Sequence, residues 1–189
     1  MAPGVDHRRT DTRDRILSVA LGLFTRQGYA TTSLREIADE LGVTKAALYF
    51  HYKTKDDIMA GILRGYLDGL DALVGDDAPD TSALAGREEL LRRFAGYQAG
   101  WGTNLTRLIR ENITEISNLP VGEELRTTHR RLLDVLAGPD PTILDKTRAR
   151  TALAAIQTVA VSAEHDDASE DELRQAALTV GLEVLRGGR

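Results

Sequence analysis

Apolar residues recur along most of the chain at spacings of three and four, which is typical of amphipathic helices. Few runs alternate apolar and polar residues as a half-buried strand would. A first helix is predicted over residues 13–27, with Thr10 or Asp11 as its N-cap. Its apolar stripe consists of Ile16, Leu17, Ala20, Leu21 and Phe24. The pattern as a whole predicts an all-α chain of about nine helices.

Two short helices joined by a tight turn are predicted between Ser33 and Lys55. Ser33 and Glu36 fit the S-x-x-E capping box, which satisfies free N–H groups at a helix start. Gly42 stands where the chain must reverse, because glycine enters the left-handed region at little cost. Thr44 would cap the helix that follows. With the first helix, this makes a three-helix helix-turn-helix domain, whose last helix enters the DNA major groove.

Charge is distributed unevenly along the chain. Residues 1–55 carry nine Lys or Arg and six Asp or Glu, a net charge of +3, whereas residues 56–189 carry 15 and 23, a net charge of −8. Lys45, Lys53 and Lys55 are three of the four lysines in the chain. A solvated helical face would explain a basic run by itself. Because the run coincides with the turn motif, contact with DNA is the favoured interpretation.

The same region resembles the DNA-binding domain of TetR-type one-component repressors. Residues that agree in one register carry the resemblance: Thr31-Thr32-Ser33, Ile37-Ala38, Leu41-Gly42-Val43-Thr44, Leu48-Tyr49, His51-Tyr52 and Lys55-Asp56-Asp57. The recognition helix alone, residues 43–52, is also similar to γ-butyrolactone receptors within that family. The resemblance implies a repressor that binds a palindromic, inverted-repeat operator as a homodimer. It also implies release by a small-molecule effector, here of unknown identity.

Candidate DNA contacts lie on the two helices of the turn motif. Lys45 can donate to a guanine edge or to a phosphate, and the two alanines after it are small enough to meet a thymine methyl. The resemblance implies a base contact for Arg35, with a solvent-exposed arginine as the alternative. It implies phosphate contacts for Tyr49, His51 and Lys55, and a core position is the alternative for the tyrosine. The predicted DNA-binding set is Ser33, Arg35, Thr44, Lys45, Ala46, Ala47, Tyr49, His51 and Lys55.

Three parts are expected along the chain. Residues 1–10 form a flexible arm, residues 11–55 the DNA-binding domain, and residues 56–189 an effector-binding and dimerisation domain. Arg8 and Arg9 in the arm could contact the DNA backbone or minor groove, although an ordinary disordered tail explains them equally well. The arm lacks the apolar segment of a secretory signal.

The C-terminal part is predicted to be entirely helical. Helices are expected at about residues 56–74, 87–101, 104–118, 122–137 and 142–164, and after a capping box at Ser169 and Glu172. The segment 75–86 is expected to be a loop, Pro120 to break a helix, and residues 138–141 to form a stop. The last two helices are apolar on more than one face, so residues 136–189 are predicted to form a four-helix dimer interface. A wholly intramolecular core is the alternative.

By resemblance, an effector binds among the fourth to seventh helices. Aromatic and polar residues on the apolar stripes are the candidates: Phe94, Tyr97, Trp101, Asn112 and His129. Aromatic stripes of this kind are more often core than pocket, and a buried amide or imidazole more often bonds to a neighbouring side chain or water.

Several classes of function are disfavoured by the sequence. The chain has no cysteine, so it has no disulfides, thiolate catalysis or Cys-type metal sites, which fits a cytoplasmic protein. Glu-x-x-His, G-x-S-x-G, Walker A and H-E-x-x-H patterns are absent, so no enzyme activity, cofactor or metal site is predicted. The weakly polar run 151–163 is shorter than the ~20 residues of a membrane span. A helical DNA-binding adaptor without an effector stays open as an alternative, and an all-helical enzyme is less favoured.

Overall fold

The described residues, 7–159 and 167–187, fold in a computed structural model into nine α-helices without a strand, which confirms the all-α class. In chain order the helices are α1 (His7–Gln27), α2 (Leu34–Leu41), α3 (Lys45–His51), α4 (Lys55–Leu73), α5 (Leu84–Glu111), α6 (Ile113–Ser117), α7 (Pro120–Ala137), α8 (Ile143–Gln157) and α9 (Glu170–Arg186). We refer to α1, α2 and α3 as the head and to α4 through α9 as the body.

The first helix is longer than the sequence pattern predicted. It begins at His7, so residues 7–10 are helical, and an N-cap at Thr10 or Asp11 is wrong because both residues lie inside the helix. The physical reason is that no glycine or proline between residues 7 and 13 stops a helix. The remainder of the predicted arm, residues 1–6, and the side chains of Arg8 and Arg9 lie outside what the structure describes.

Buried apolar side chains fill the space between the three helices of the head and are continuous with the core of the body. Those that are at most 1% exposed are Ile16, Ala20, Phe24, Ile37, Ala38 and Leu48. Gly42 adopts the left-handed conformation, with φ 68° and ψ 30°, and ends α2 as predicted. The N–H of Val43 then donates to the carbonyl of Ala38 at 3.0 Å. The predicted helix-turn-helix is confirmed.

The middle of the body departs from the predicted boundaries. The loop expected over residues 75–86 is shorter, because α5 begins at Leu84. At Gly102 the backbone (φ 70°, ψ 176°) leaves helical geometry, which places a kink between the predicted fifth and sixth helices. The predicted helix 104–118 is divided at Asn112, whose side-chain amide donates to the carbonyl of Leu108 at 2.9 Å. Such local bonds compete with the helical ladder.

The last two helices begin close to the predicted positions, and the capping box predicted for the final helix is confirmed. Ser169 and Glu172 form a capping box at the start of α9, and Thr142 and Asp145 form another at the start of α8. Pro120 ends the preceding helix and is itself the first residue of α7, where its missing N–H costs no bond. Residues 160–164 of the predicted eighth helix lie outside the described part of the chain.

Helix α4 connects the head to the body along a row of glycines. A Cβ atom at Gly61 would lie 2.9 Å from Leu17 Cδ2, and one at Gly65 would lie 3.5 Å from Trp101 Cη2. At Gly69 it would lie 2.3 Å from the hydroxyl of Tyr97, well inside contact distance. The missing side chains therefore let α1 and α5 approach the same helix closely.

Two further properties concern membranes and metals. In the part of the chain that the structure describes, no helix has the length and apolar character needed to cross a membrane. Within the same residues, His, Asp and Glu side chains do not gather in groups of three or more that could hold a metal ion.

Candidate nucleic-acid interface

Both ends of helix α3 are held in place by contacts within the head. The Thr44 hydroxyl accepts a hydrogen bond from the N–H of Ala47 at 3.2 Å, which caps the helix as predicted. Leu48 is fully buried beneath the helix. At the other end Tyr52 is buried, and its hydroxyl accepts from Arg13 Nε at 2.9 Å. The core and the two end contacts therefore determine which side of α3 remains outside.

The first turn of α3 is open to solvent. Lys45, Ala46 and Ala47 are all exposed. The ammonium of Lys45 lies 5.2 Å from the ring centroid of Tyr49, so a cation and an aromatic ring share one side of the helix. Small side chains at the next two positions allow close approach of another surface. This arrangement fits an element that lies against a polyanion.

The end of α3 carries more polar groups. Tyr49 and His51 are half-buried, with their backbone in the last turns of the helix. Lys53 donates from Nζ to the carbonyl of Tyr49 at 2.6 Å and so covers the C-terminal end of the helix. A cation there complements the helix dipole.

Lys55 is placed differently from the other lysines. Its Nζ donates to the carbonyls of Tyr29 and Ala30 at 2.7 and 3.0 Å and lies 4.7 Å from the Tyr29 ring centroid. The Tyr29 hydroxyl in turn bonds to the carboxylate of Asp56. Lys55 thus ties the turn after α1 to the start of α4, and a phosphate contact from it stays a prediction.

Helix α2 presents the other predicted contacts. The Ser33 hydroxyl accepts from the N–H of Glu36 at 3.2 Å, and a Glu36 carboxylate oxygen accepts from the N–H of Ser33 at 2.7 Å. Bonds from Ser33 hold the pKa of Glu36 below its ordinary value. Arg35 is exposed and lies 3.8 Å from the carboxylate of Asp39, a surface pair that contributes little and leaves the guanidinium able to move.

Phe50 is a residue that the sequence reasoning missed. Its side chain is 64% exposed, which is unusual for phenylalanine, and its ring meets the His51 ring edge-on at 5.4 Å between centroids. Its helical spacing from Ala46 and Ala47 was the available signal, since positions four and three residues apart lie on the same face of a helix. An exposed apolar ring on this helix can contact a thymine methyl.

The aromatic effector candidates form part of the packing between α4 and α5. Phe94 is fully buried in the core. Tyr97 stacks on Tyr66 at 5.6 Å between centroids, and its hydroxyl donates to the Tyr66 carbonyl at 2.7 Å. Trp101 meets the same Tyr66 ring edge-on at 6.0 Å. Burial raises the pKa of the Tyr66 phenol.

The two polar effector candidates lie elsewhere in the body. The Asn112 amide is engaged by its own helix through the bond to Leu108. His129 on α7 is half-buried, and burial lowers the pKa of its imidazole, which favours the neutral form. The structure has a cavity between α5, α8 and α9 and a cleft between α1, α4 and α5. Neither Asn112 nor His129 lines either of them. The structure therefore joins Tyr97 with Trp101 but does not bring all five candidates to one pocket.

A cavity that the sequence reasoning did not foresee opens at the kink in α5. It is small, with a volume of about 30 Å³, and lies between α5, α8 and α9. Its polar lining comes from Gln98, Thr103, Thr106, Gln157, Glu170 and Arg174. Arg174 is paired there with Glu170 at 2.5 Å. Gly102 was the only sequence signal, because its freedom at positive φ makes the kink possible.

Residues 16–62 match the model of the N-terminal domain of bacterial regulatory proteins of the tetR family. The chain is 47% identical over 62 residues to the HTH-type transcriptional regulator AcrR of Shigella flexneri, which covers 33% of this chain and 29% of that protein. It is 36% identical over 70 residues to the HTH-type transcriptional repressor KstR2 of Mycolicibacterium smegmatis, covering 37% and 34%. The two alignments therefore span about a third of those relatives' length.

The structural likeness extends further along the chain. The crystal structure of Mycobacterium smegmatis AmtR aligns with a TM-score of 0.64 and 28% identity over 100% of this chain and 89% of that one. The sequence match covers the head and the start of α4, and the structural match also covers the body. Together they show that residues 16–62 match the N-terminal domain of the tetR family of bacterial regulatory proteins and that the fold of the whole chain is similar to that of AmtR.

Proposed function

We propose that this chain is a transcriptional repressor that binds an inverted-repeat operator as a homodimer and is released by a small-molecule effector. The observation that carries the proposal is the first turn of α3. There Lys45, Ala46 and Ala47 are exposed, on a helix that a cap and a buried leucine hold in place. A cation followed by small side chains suits the major groove, where lysine reads guanine and methyl groups meet thymine.

The remaining head residues would position the helix rather than read bases. The N-terminus of α2, with Ser33 in its capping box, and the polar end of α3, with Tyr49 and His51, offer donors to phosphates on either side of the groove. The exposed, weakly paired guanidinium of Arg35 suits either a base or a phosphate. Phe50 adds an apolar contact that favours thymine.

The dimer is supported by apolar side chains that the single chain leaves exposed. Ile143 and Leu144 at the start of α8 are 80% and 55% exposed, and Val180 on α9 is 49% exposed. Leu173, Ala176, Val180 and Val184 recur along α9 at helical spacing. Burying this stripe against a second copy would hold two heads at a fixed separation. Two recognition helices can then enter successive major grooves about 34–36 Å apart.

An effector would act through the body. The cavity at the Gly102 kink adjoins α5, and α5 packs through Tyr97 and Trp101 on α4, which leads into the head. A ligand that prefers one position of α5 would shift the separation of the heads by its difference in affinity for the two states.

The proposal is tested by selecting duplexes from a random library with the purified protein. The expected product is an inverted repeat whose affinity falls steeply with salt and exceeds that of either half-site alone. Enrichment of no motif, or equal affinity for one half-site, would contradict it. A compound library that never changes operator affinity would favour the adaptor without an effector.

A further inference from the structure

We propose that the cleft between the head and the body is a binding site for a small aromatic cation. This junction cleft lies between α1, α4 and α5, is open to solvent on one side and has a volume of about 410 Å³. Its lining includes Asp14, Leu17, Ser18, Ile62, Gly65 and Trp101. It shares none of these residues with the cavity at the Gly102 kink.

The shape of the junction cleft depends on glycines. Gly61 and Gly65 lie in the wall contributed by α4, and their missing side chains let Leu17 and Trp101, which form the other walls, approach α4 closely. Trp101 stands beside Gly65 and is held by the edge-on contact with the buried Tyr66. Leu17 and Ile62 supply apolar wall. A flat, compact molecule therefore finds an aromatic surface and apolar sides together.

The charge of the junction cleft selects for a cation. Asp14 is an exposed carboxylate in the lining, and among the described lining residues there is no lysine, arginine or histidine. The neighbouring Arg13 is bound to the Tyr52 hydroxyl at 2.9 Å, and its guanidinium carbon lies 5.5 Å from that ring. A positive ligand gains from the carboxylate and from the indole of Trp101, whereas an anion is repelled by the carboxylate.

The position of the site gives it a consequence for regulation, which rests on the proposed function. A ligand in the junction cleft touches α1 of the head and α5 of the body at the same time. Its affinity therefore depends on the angle between the head and the body. The factor by which the ligand changes operator affinity then equals the factor by which DNA changes ligand affinity. The site would act beside an effector in the body and not in place of it.

Binding can be observed directly because Trp101 is the only tryptophan in the chain. The probe is benzyltrimethylammonium, with benzenesulfonate and benzyl alcohol as anionic and neutral controls, added to the 189-residue chain without DNA. We expect a saturable change in tryptophan emission with the cation and none with the anion. An equal response to the anion, no saturable response, or calorimetric binding that leaves the emission unchanged would overturn the assignment.

Two pairs of variants locate the ligand. Asp14→Asn should weaken binding of the cation roughly tenfold, and Asp134→Asn, which removes an exposed carboxylate from α7, should leave it unchanged. Ser18→Phe should block the junction cleft, whereas Ser18→Ala should not. Circular dichroism confirms folding of each variant, and unaltered affinity in both Asp14→Asn and Ser18→Phe would refute the proposal.

The experiment separates this proposal from the proposed function. Duplex selection and salt dependence are measured without the cation, so operator binding can succeed while the emission titration fails. In that case the repressor assignment stands and the junction cleft is only a gap between domains. If the cation binds but no operator is selected, the junction cleft is a ligand site and the repressor assignment is wrong.

Discussion

The head and the body hold their functional side chains by different means. In the head, bonds between near neighbours set the starts of α2 and α3: the caps at Ser33 and Thr44 each join residues three apart, and a distant bond, from Arg13 to Tyr52, is added at the end of α3. In the body, Tyr97 is held by Tyr66, 31 residues away, and fits against a glycine of α4. A surface built from local bonds can be recognised in a short stretch of sequence, whereas one built from distant contacts cannot.

The largest expected effect concerns the core of the body. Phe94→Ala should lower the free energy of unfolding by about 3–5 kcal/mol, because it leaves a cavity where the ring is fully buried. Urea denaturation followed by circular dichroism measures the loss. A loss under about 1 kcal/mol would mean that the ring lines a pocket that can collapse.

The surface between two bodies is tested by Val180→Glu. A charge on the exposed apolar stripe of α9 should prevent dimer formation and lower operator affinity by roughly 100-fold or more, since two heads would no longer bind together. Sedimentation measures the oligomeric state. Gln175→Glu adds the same charge elsewhere on α9 and should leave the dimer intact. A Val180→Glu protein that still sediments as a dimer would exclude this interface.

The contact between α4 and α5 is tested by a pair of glycine replacements. Gly69→Ala should destabilise the protein by about 1–3 kcal/mol, because the added methyl would overlap the Tyr97 ring. Gly96→Ala on α5, where a Cβ meets no atom within 4 Å, should instead stabilise it by about 0.5–1 kcal/mol. Thermal unfolding distinguishes the two, and equal effects would show that the glycine row does not limit packing.

Within the head, residues that contact bases and residues that contact phosphates should affect DNA binding differently. Lys45→Ala should change the selected operator sequence and cost about 1–3 kcal/mol at one position if the contact is bidentate. Tyr49→Phe should weaken binding to all duplexes alike, as loss of a phosphate contact would. Arg130→Ala, an exposed arginine of the body, is the control. An unchanged motif with Lys45→Ala would remove that residue as a reader.

The smallest effect is the pH dependence of the link between α5 and α9. Glu88 accepts from Arg186 at 2.8 Å and from Arg92 at 3.0 Å, and these bonds lower its pKa from 4.5 to about 2. A depressed carboxyl pKa contributes stability above about pH 4.5 that is lost as the pH falls toward 2.

Glu88→Gln should therefore reduce the loss of stability over that pH range, with a difference of less than about 1 kcal/mol because the arginines are partly exposed. Denaturation at a series of pH values measures it. Glu89→Gln removes a partly exposed carboxylate of the same helix, one that pairs with Arg93 and not with α9, and serves as the control. Identical curves for the wild type and Glu88→Gln would show that the link does not contribute to stability.

Much of the head could be predicted from sequence, because each of its signals has a local cause. A capping box, a glycine in the left-handed conformation and an apolar stripe depend on residues within a few positions of one another. The start of α1 was missed because the absence of a helix breaker is a weaker signal than the presence of a cap. Phe50 was missed because exposure depends on where the neighbouring helices lie.

The sequence by itself determined the all-α class, the helix-turn-helix and the cationic character of its outer helix, since helical periodicity, caps and charge are all written in short windows. Only the tertiary structure decided that Lys55 bonds to the turn after α1, that Tyr97 and Trp101 rest on the glycines of α4, and that clefts open at Gly102 and beside Asp14. The physical reason is that these features join residues far apart in the chain. Their meeting depends on how the helices pack together and not on the preference of any one segment.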